Sequence, residues 1–293
     1  MKRITTLMTL FCIVVLSAKA QLLWKVSGKD LPKASYILGT HHLAPLSILD
    51  SIAGFKQAMN DVEQVCGEIV MAEMQAPATI QKIQQTVIMP GDTTLRTLYT
   101  AAQYDTLSVK IKKLIGVDLI DLMNMVKPSF ITTQLSVVIA IKAIPGFNPK
   151  QQLDGWFQTE AQKQGKKVTA LETIDPQINM LFDSQSLQRQ AEQLLATVNH
   201  LEDMEQQARK MTEAYMAQDL KKLEAAMNKK FGTAVDALPE EEDALIYNRN
   251  RKWAESIMNI QPTLFAVGCG HLMGKRGILN LLKRQGYSVT PVK

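Results

Sequence analysis

The chain has 293 residues and a formal net charge of +5, and this length is sufficient for one large domain or two small ones. Its three cysteines are far too few for a disulfide-stabilised scaffold. No basic stripe is interleaved with aromatic residues, so we expect no nucleic-acid partner.

Residues 1–20 have the three parts of a secretory signal peptide. Lys2 and Arg3 form a basic start, an apolar run follows, and an A-x-A cleavage signal ends at Ala20. The apolar run is too short to span a membrane comfortably. We predict that residues 21–293 are exported to the bacterial periplasm or the extracellular space without an integral membrane segment. Loss of the three positive charges in the signal lowers the net charge from +5 to +2.

Two short apolar runs near the mature N-terminus predict a pair of strands, Leu22–Val26 and Ser35–Leu38. Gly39–His42, a Gly-x-x-His motif, directly follows the second run. The carboxyl ends of strands are where open α/β sheets bind ligands. Adjacent residues of an extended chain point to opposite faces, which leaves open whether His41 or His42 faces such a site. The motif spacing favours His42.

The next segments predict a helix over Pro45–Asn60 and a strand over Glu63–Met71. Glu68 lies within this strand. An ionisable group in a largely apolar run is costly to bury unless it is paired or bound to a cation. Glu68 is therefore either a functional carboxylate or a side chain at a solvated strand end, and Glu73 is a weaker alternative.

The middle of the chain is predicted to be mainly helical. Apolar residues recur at helical spacing through residues 76–150 and again over Leu153–Gly165, where Asp154 is a candidate helix cap. A strand over Lys167–Leu171 follows, and Glu172 comes directly after it.

Residues 174–260 form a second predicted helical part. In its first half the apolar stripe includes several methionines, which indicates core packing or a groove for a peptide. The last helix, Pro239–Ile260, carries Tyr247, Arg249 and Asn250. Arg249 either forms a surface ion pair or faces a site, where it would hold a substrate carboxylate or a developing oxyanion.

The C-terminal segment repeats the strand-and-histidine arrangement. Thr263–Val267 predicts a strand, Gly268–His271 is a second Gly-x-x-His motif, and a helix over Gly274–Gln285 and a strand over Tyr287–Val292 follow. The two histidines meet only if both ends of the chain contribute strands to one sheet. We therefore predict an α+β (mixed α/β) fold with one central sheet of N-terminal, middle and C-terminal strands and a large helical part.

Two cysteines lie close to candidate site residues. Cys66 and Cys269 each stand two positions before one of them, Glu68 or His271. If the two strands meet, the thiols are neighbours and can form a disulfide in an oxidising compartment. Otherwise both are small buried residues.

These motifs resemble those of the TraB/PrgY/GumN family, which is grouped with the Tiki metalloproteases and, more distantly, with erythromycin esterases and ChaN-like proteins. The resemblance extends over nearly all of residues 21–293. The segments that carry it are Leu23–Gly28, Tyr36–Pro45, Val65–Glu68, Leu153-Asp154, Leu171–Thr173, Arg249-Asn250, Trp253 and the C-terminal motif.

The resemblance implies an active site in which His42, Glu68 and His271 bind a divalent metal ion (Zn²⁺, Mn²⁺ or Co²⁺) or act directly on a substrate. It also implies that Arg249 faces this site and takes part in catalysis. The residues expected around them, in orienting or substrate-binding roles, are His41, Glu172, Asn250 and Tyr247.

Three functions are consistent with these sequence features. The first is an exported metal-dependent hydrolase, a peptidase acting on a peptide or protein. The second has the same site without a metal, with His42 as a general base assisted by Glu68 and His271. The third is a non-catalytic envelope protein that binds a peptide. The sequence has no H-E-x-x-H, P-loop or G-x-S-x-G motif that would select another mechanism.

Overall fold

The computed structural model describes residues 21–29, 31–257 and 262–293. The predicted signal peptide, residues 1–20, lies outside them. The described residues contain one six-stranded sheet with the strand order β4-β3-β5-β2-β1-β6, which confirms the predicted mixed α/β fold. The strands are β1 Leu23–Ser27, β2 Ser35–Thr40, β3 Gln64–Gly67, β4 Lys167–Ala170, β5 Thr263–Gly268 and β6 Ser288–Pro291.

Helices connect the strands and cover both faces of the sheet. In chain order they are α1 Phe55–Asp61, α2 Pro77–Thr86, α3 Leu95–Leu98, α4 Ala101–Ile115, α5 Leu119–Leu122, α6 Pro128–Ala143, α7 Leu153–Lys163, α8 Ile174–Phe182, α9 Leu187–Asn199, α10 Leu201–Met216, α11 Leu220–Met227, α12 Pro239–Glu242, α13 Asn248–Ser256 and α14 Ile278–Arg284.

Four neighbouring strands run in the same direction. β5 lies at their centre and pairs in parallel with β2 and β3, and β4 pairs in parallel with β3. β1 is antiparallel to β2 and β6. The two ends of the chain therefore meet at the β2–β5 pair, in which Tyr36 faces Leu264 and Thr40 faces Gly268. The carboxyl ends of β2, β3, β4 and β5 all lie at one edge of the sheet.

Side chains alternate between two buried faces along the central strands. Leu264 and Ala266 of β5 pack in a core with residues of α1, α7, α10 and α11. Phe265 and Val267 pack on the opposite face with Trp253 of α13 and with residues of α14. A separate core between α3, α4, α5, α6 and α9 holds the helical part together. Across the described ranges no helix is both long enough and apolar enough to cross a membrane.

Three predicted elements differ from the structure. The helix predicted over Pro45–Asn60 is a 3₁₀ turn followed by α1, because the chain breaks at Gly54, which has φ +68°. The strand predicted over Glu63–Met71 ends at Gly67, so Glu68 lies just beyond it. The helix predicted over Pro239–Ile260 consists of α12, a π-helical turn and α13, and its last predicted residues lie outside the described ranges.

Truncation of Phe265 should destabilise the whole sheet, because this ring is fully buried at the centre of the fold. We expect Phe265→Ala to lower the free energy of unfolding by about 3–5 kcal/mol, through lost burial and the cavity left behind. Leu122→Ala is the matched control, since Leu122 is 78% exposed, and it should change the free energy by less than about 0.5 kcal/mol. Urea titration of residues 21–293 measures both. Equal effects would contradict the central position of β5.

Candidate functional site

The predicted site residues converge on the carboxyl edge of the sheet. His42 follows β2, Glu68 follows β3, Glu172 follows β4, and His271 ends the 3₁₀ turn after β5. Parallel pairing of these four strands brings side chains from distant parts of the sequence to one place. This is the edge at which open α/β sheets bind their ligands.

The glycine that opens each Gly-x-x-His motif has no side chain, so neighbouring groups can lie close to its backbone. A Cβ atom on Gly39 would lie 2.7 Å from Leu272 and 3.2 Å from the Cα of Cys269, in the turn that carries the second motif. A Cβ atom on Gly268 would lie 3.2 Å from Glu68 Oε1. The amide of Gly268 donates a hydrogen bond of 2.8 Å to the same oxygen. The two motifs thus fix the backbone around the site as well as supplying its histidines.

Arg249 joins the ends of three strands. Its Nη2 donates to Glu68 Oε2 at 2.5 Å and to Glu172 Oε1 at 2.7 Å. Its Nε donates to Glu172 at 3.1 Å. Its Nη1 donates to His271 Nε2 at 3.1 Å and to the backbone oxygen of Leu245 at 2.9 Å. A guanidinium has five N–H donors, and this arrangement uses all of them. The predicted substrate-binding role of Arg249 stays a prediction, and no donor is left for it in the described conformation.

The two carboxylates are further held by a residue that the sequence did not indicate. The Nε2 of Gln177, on α8, donates to Glu68 at 3.2 Å and to Glu172 at 2.9 Å. Burial alone raises the pKa of Glu68, but the Arg249 charge and the hydrogen bond from the Gly268 amide, among other neighbours, outweigh this effect, and the pKa is lowered. Glu68 is therefore ionised at neutral pH.

His271 is held as a neutral imidazole with a defined tautomer. The amide nitrogen of Asn250 donates to the backbone oxygens of His271 and Arg276, so its side-chain oxygen accepts from His271 Nδ1 at 2.6 Å. The Nε2 lone pair then faces Arg249. Burial, with a smaller contribution from Arg249, lowers the pKa of His271 to about 4.

His42 has a carboxylate partner instead. Its Nδ1 lies 2.7 Å from Asp154 Oδ2, while the hydroxyl of Thr40 donates to Asp154 Oδ1 at 2.8 Å. Asp154 is not the helix cap that the sequence suggested: the N-cap position of α7 is Gln152, which makes no side-chain cap, and the Asp154 side chain contacts His42. The Asp154 charge raises the pKa of His42 above its ordinary 6.5. The imidazole is 59% exposed, and Nδ1 is engaged, so Nε2 is the nitrogen available to solvent.

His41 faces away from this cluster. Its Nε2 lies 3.2 Å from the hydroxyl of Thr212, and its ring packs edge-on against Tyr215. Tyr215 in turn donates from its hydroxyl to the backbone oxygen of Gly39. Burial lowers the pKa of His41 to about 4. His42, by contrast, is close enough to Glu68 and Arg249 for their charges to act on it.

The other predicted residues are placed as follows. The ring of Tyr247 stacks under Arg276, with 3.8 Å between the guanidinium carbon and the ring centre. Cys66 and Cys269 are free, buried thiols that pack in the two different cores of the sheet. Burial raises the pKa of Cys66 to about 11 and that of Cys269 to about 12.

A cavity of about 660 Å³ opens beside the first histidine motif. Thr212, which contacts His41, forms part of its wall. The wall is mostly apolar, with Arg209 and Glu213 of α10 as its charged residues. Its apolar lining residues are Pro45, Leu46, Ala143, Ile144, Pro145 and Met216.

The donor atoms near Arg249 are of the kinds that a divalent metal takes, but their arrangement does not fit one. His271 Nε2 and Glu68 Oε1 are 3.7 Å apart. The Nε2 lone pair, however, faces Arg249, so a metal on this nitrogen would have to displace the guanidinium. Within the described ranges no group of three or more His, Cys, Asp or Glu residues is arranged to hold a metal ion. The predicted ligands His42, Glu68 and His271 stay a prediction.

The fold and the site define a mixed α/β protein with a polar site of two Gly-x-x-His motifs, three carboxylates (Glu68, Asp154 and Glu172) and an arginine. The chain matches the model of the TraB/PrgY/gumN family over residues 22–291, a range that includes all six strands and every site residue named above. It belongs to the TraB/PrgY/gumN family, as the resemblance of its motifs predicted.

One curated relative is similar over a short stretch. The chain is 39% identical over 51 residues to a protein named metalloprotease TIKI homolog from Amphimedon queenslandica, a match that covers 15% of this chain and 10% of the relative. The chain thus spans about a tenth of that relative's length. No solved structure matches the chain significantly.

The free energy of unfolding should fall as the pH is lowered from about 6.5 towards 4. The pKa values of His41 and His271 are about 4 in the folded protein and 6.5 ordinarily. The unfolded chain therefore binds more protons in this range, and acid favours it. His271 alone should contribute a loss on the order of 2 kcal/mol between pH 7 and 5. The raised pKa of His42 has the opposite effect. Above pH 6.5, its contribution to the free energy of unfolding falls as the pH rises.

Urea titrations at pH 7, 6 and 5 test this expectation. His41→Gln should reduce the pH dependence, because glutamine can still contact Thr212 and does not titrate. His200→Gln is the control, since His200 is an exposed histidine beside Asp203. An unchanged pH dependence in His41→Gln would show that His41 is not held neutral by the fold.

Proposed function

We propose that this protein is an exported hydrolase that cleaves peptide bonds or related acyl bonds, with His42 as its general base. The observation that carries the proposal is the hydrogen-bonded series Thr40–Asp154–His42. It joins a buried, fixed carboxylate to an imidazole that is open to solvent. Membership of the TraB/PrgY/gumN family and the similarity to a protein named as a metalloprotease both support a hydrolase.

Asp154 sets the proton arrangement of His42. By accepting from Nδ1–H, it leaves the lone pair of neutral His42 on Nε2. Nε2 then takes a proton from a water molecule as the water attacks the carbonyl carbon, and the protonated ring returns it to the leaving group. Between these two proton transfers His42 is an imidazolium, which the Asp154 charge stabilises. The same charge raises the pKa of His42, so the base form and the rate should increase with pH above neutrality.

The groups in contact with Arg249 stabilise the backbone next to His42. It fixes the ends of β3, β4 and β5 beside the turn that carries His42. Its charges reach His42: Glu68 favours the protonated ring and Arg249 opposes it. In this mechanism Glu68 and His271 assist His42 through their position and charge.

The substrate is expected to be a peptide or protein. The cavity beside His41 is within the usual size range of ligand pockets, about 300–1,000 Å³. Its apolar wall can take a side chain, and Arg209 and Glu213 can contact polar groups of an extended chain. The predicted signal peptide supports an activity in the periplasm or outside the cell.

Metal dependence is the second candidate, and the short match to the protein named metalloprotease TIKI homolog favours it. His42, Glu68 and His271 are then the ligands that the family resemblance implies. This form of the proposal requires Arg249 to leave its place against Glu68 and His271, since the described conformation does not fit a metal there.

Substitution of the His42–Asp154 pair tests the first candidate. With casein and a panel of p-nitrophenyl acyl esters as probes, His42→Ala should lower kcat/KM by about 10²–10⁴-fold. Asp154→Asn should also lower it strongly, because the amide favours the wrong tautomer. Activity of the wild type should survive EDTA. His200→Ala and Asp203→Asn alter an exposed histidine–aspartate pair of similar geometry and should leave kcat/KM unchanged.

Each contrary outcome selects another function. Loss of activity in EDTA with recovery on addition of Zn²⁺, Mn²⁺ or Co²⁺ would favour the metal-dependent hydrolase. Full activity of His42→Ala would overturn its role as the base. No turnover of any probe by the wild type would favour a non-catalytic protein of the envelope.

A further inference from the structure

Arg209 is a charged residue in the wall of the cavity beside His41. Among the described residues its guanidinium donates no hydrogen bond and belongs to no ion pair. The other described arginines all donate to an oxygen atom, and they are Arg96, Arg189, Arg249, Arg251, Arg276 and Arg284. A guanidinium is a planar fork of donors that matches a carboxylate. Arg209 can therefore bind an anion that the described chain does not supply.

The acidic residues on the same helix do not neutralise Arg209. Glu205 and Glu213 are each four residues from it on α10, a spacing at which helix residues are neighbours. Glu205 lies 3.5 Å from Lys142 of α6 instead. Glu213 also lines the cavity, but no ion pair joins it to Arg209 in the described structure. Both side chains are exposed, so water screens the effect of Glu213 on an anion bound at Arg209.

A second donor lines the same cavity. The Oδ1 of Asn148 accepts from the backbone amide of Lys150 at 3.0 Å, so its side-chain nitrogen is the atom left for a ligand. Apolar side chains make up most of the remaining wall, among them Pro45, Leu46, Ile144 and Met216. The cavity thus combines an arginine fork and an amide donor with an apolar surface.

The cavity adjoins the two residues of the proposed general base. Pro45, three residues after His42, and Gln151, three residues before Asp154, both line it. The backbone that carries each member of the pair therefore continues directly into the cavity wall. A ligand in the cavity lies beside the turn that carries His42.

We propose that this cavity binds the carboxyl-terminal end of a peptide, with the α-carboxylate on Arg209 and an apolar terminal side chain against the wall. A C-terminal residue carries a carboxylate and a side chain on one carbon atom, whereas the carboxylate of an acidic side chain has no apolar group beside it. Arg209 then determines specificity, and cleavage takes place near the carboxyl end of the substrate. This inference rests on the proposed function for cleavage, but binding is measured without turnover.

Fluorescence anisotropy measures the binding of three short peptides that carry a label at the amino terminus. The first ends in leucine with a free carboxylate, the second in leucine amide and the third in serine with a free carboxylate. His42→Ala is the protein used, so that the peptides are not cleaved. The leucine acid should bind about three- to tenfold more tightly than its amide, which lacks the charge. It should also bind more tightly than the serine acid, whose side chain buries little apolar surface.

Further substitutions in His42→Ala separate Arg209 from general effects of charge. Arg209→Gln should remove the preference for the acid over the amide and leave the affinity for the amide unchanged. Glu213→Gln should increase the preference, because a carboxylate that repels the ligand is lost. Lys210→Gln is the matched control, since Lys210 is the next residue of the same helix and is exposed but does not line the cavity. Its loss should leave the preference nearly unchanged.

Three results would overturn the inference. They are equal binding of the leucine acid and its amide, a preference that survives Arg209→Gln, and no binding of any of the peptides. Displacement of the labelled leucine acid by decanoate at lower concentrations than by the same peptide without its label would also overturn it, because the cavity would then fit a fatty acid better.

The proposed function is judged by a separate measurement. Turnover by the wild type that is lost in His42→Ala, together with no preference for the acid, would support the general base and overturn the role of Arg209. A preference that depends on Arg209, with no turnover of any probe by the wild type, would support the binding site and count against the hydrolase.

Discussion

The ion pairs of Arg249 with Glu68 and Glu172 are the interaction on which the sheet edge depends. The two carboxylates come from the ends of β3 and β4, and the same guanidinium reaches His271 after β5. Each of these groups is largely removed from water, where an unpaired charge is costly. Any displacement of one strand end would therefore leave a charge or a donor without its partner. A site of this kind tolerates little variation in the relative positions of the strands that build it.

The two Gly-x-x-His motifs have similar backbone settings but different chemistry. His271 is buried against a neutral amide, Asn250, and burial holds it uncharged. His42 is exposed and paired with a carboxylate, Asp154, which favours the protonated ring. One motif thus supplies a fixed acceptor and the other a group that can exchange protons with solvent. The partner of each histidine, and not the motif itself, decides its role.

The sequence predicted the strands and the mixed α/β fold because these depend on local patterns. Apolar runs such as Thr263–Val267 are strands by composition, and Glu68 was conspicuous as a charge within one of them. The contacts of Arg249 could not be predicted, since its partners are far away in sequence and an exposed ion pair was as good an interpretation. Asp154 was misassigned as a cap because its helix-start position is a local signal, whereas its bond to His42 is not. Gln177 gave no local signal at all.

The pairing of β2 with β5 has a consequence for the order of events during synthesis. Tyr36 is synthesised more than 200 residues before Leu264, yet the two residues are neighbours in the sheet. Contacts between distant segments form late, because a long loop must close first. His42 therefore lacks its full surroundings until β5 has been synthesised. The candidate site is completed when β5 joins the sheet, so a hydrolase built in this way would become active only after β5 has been made.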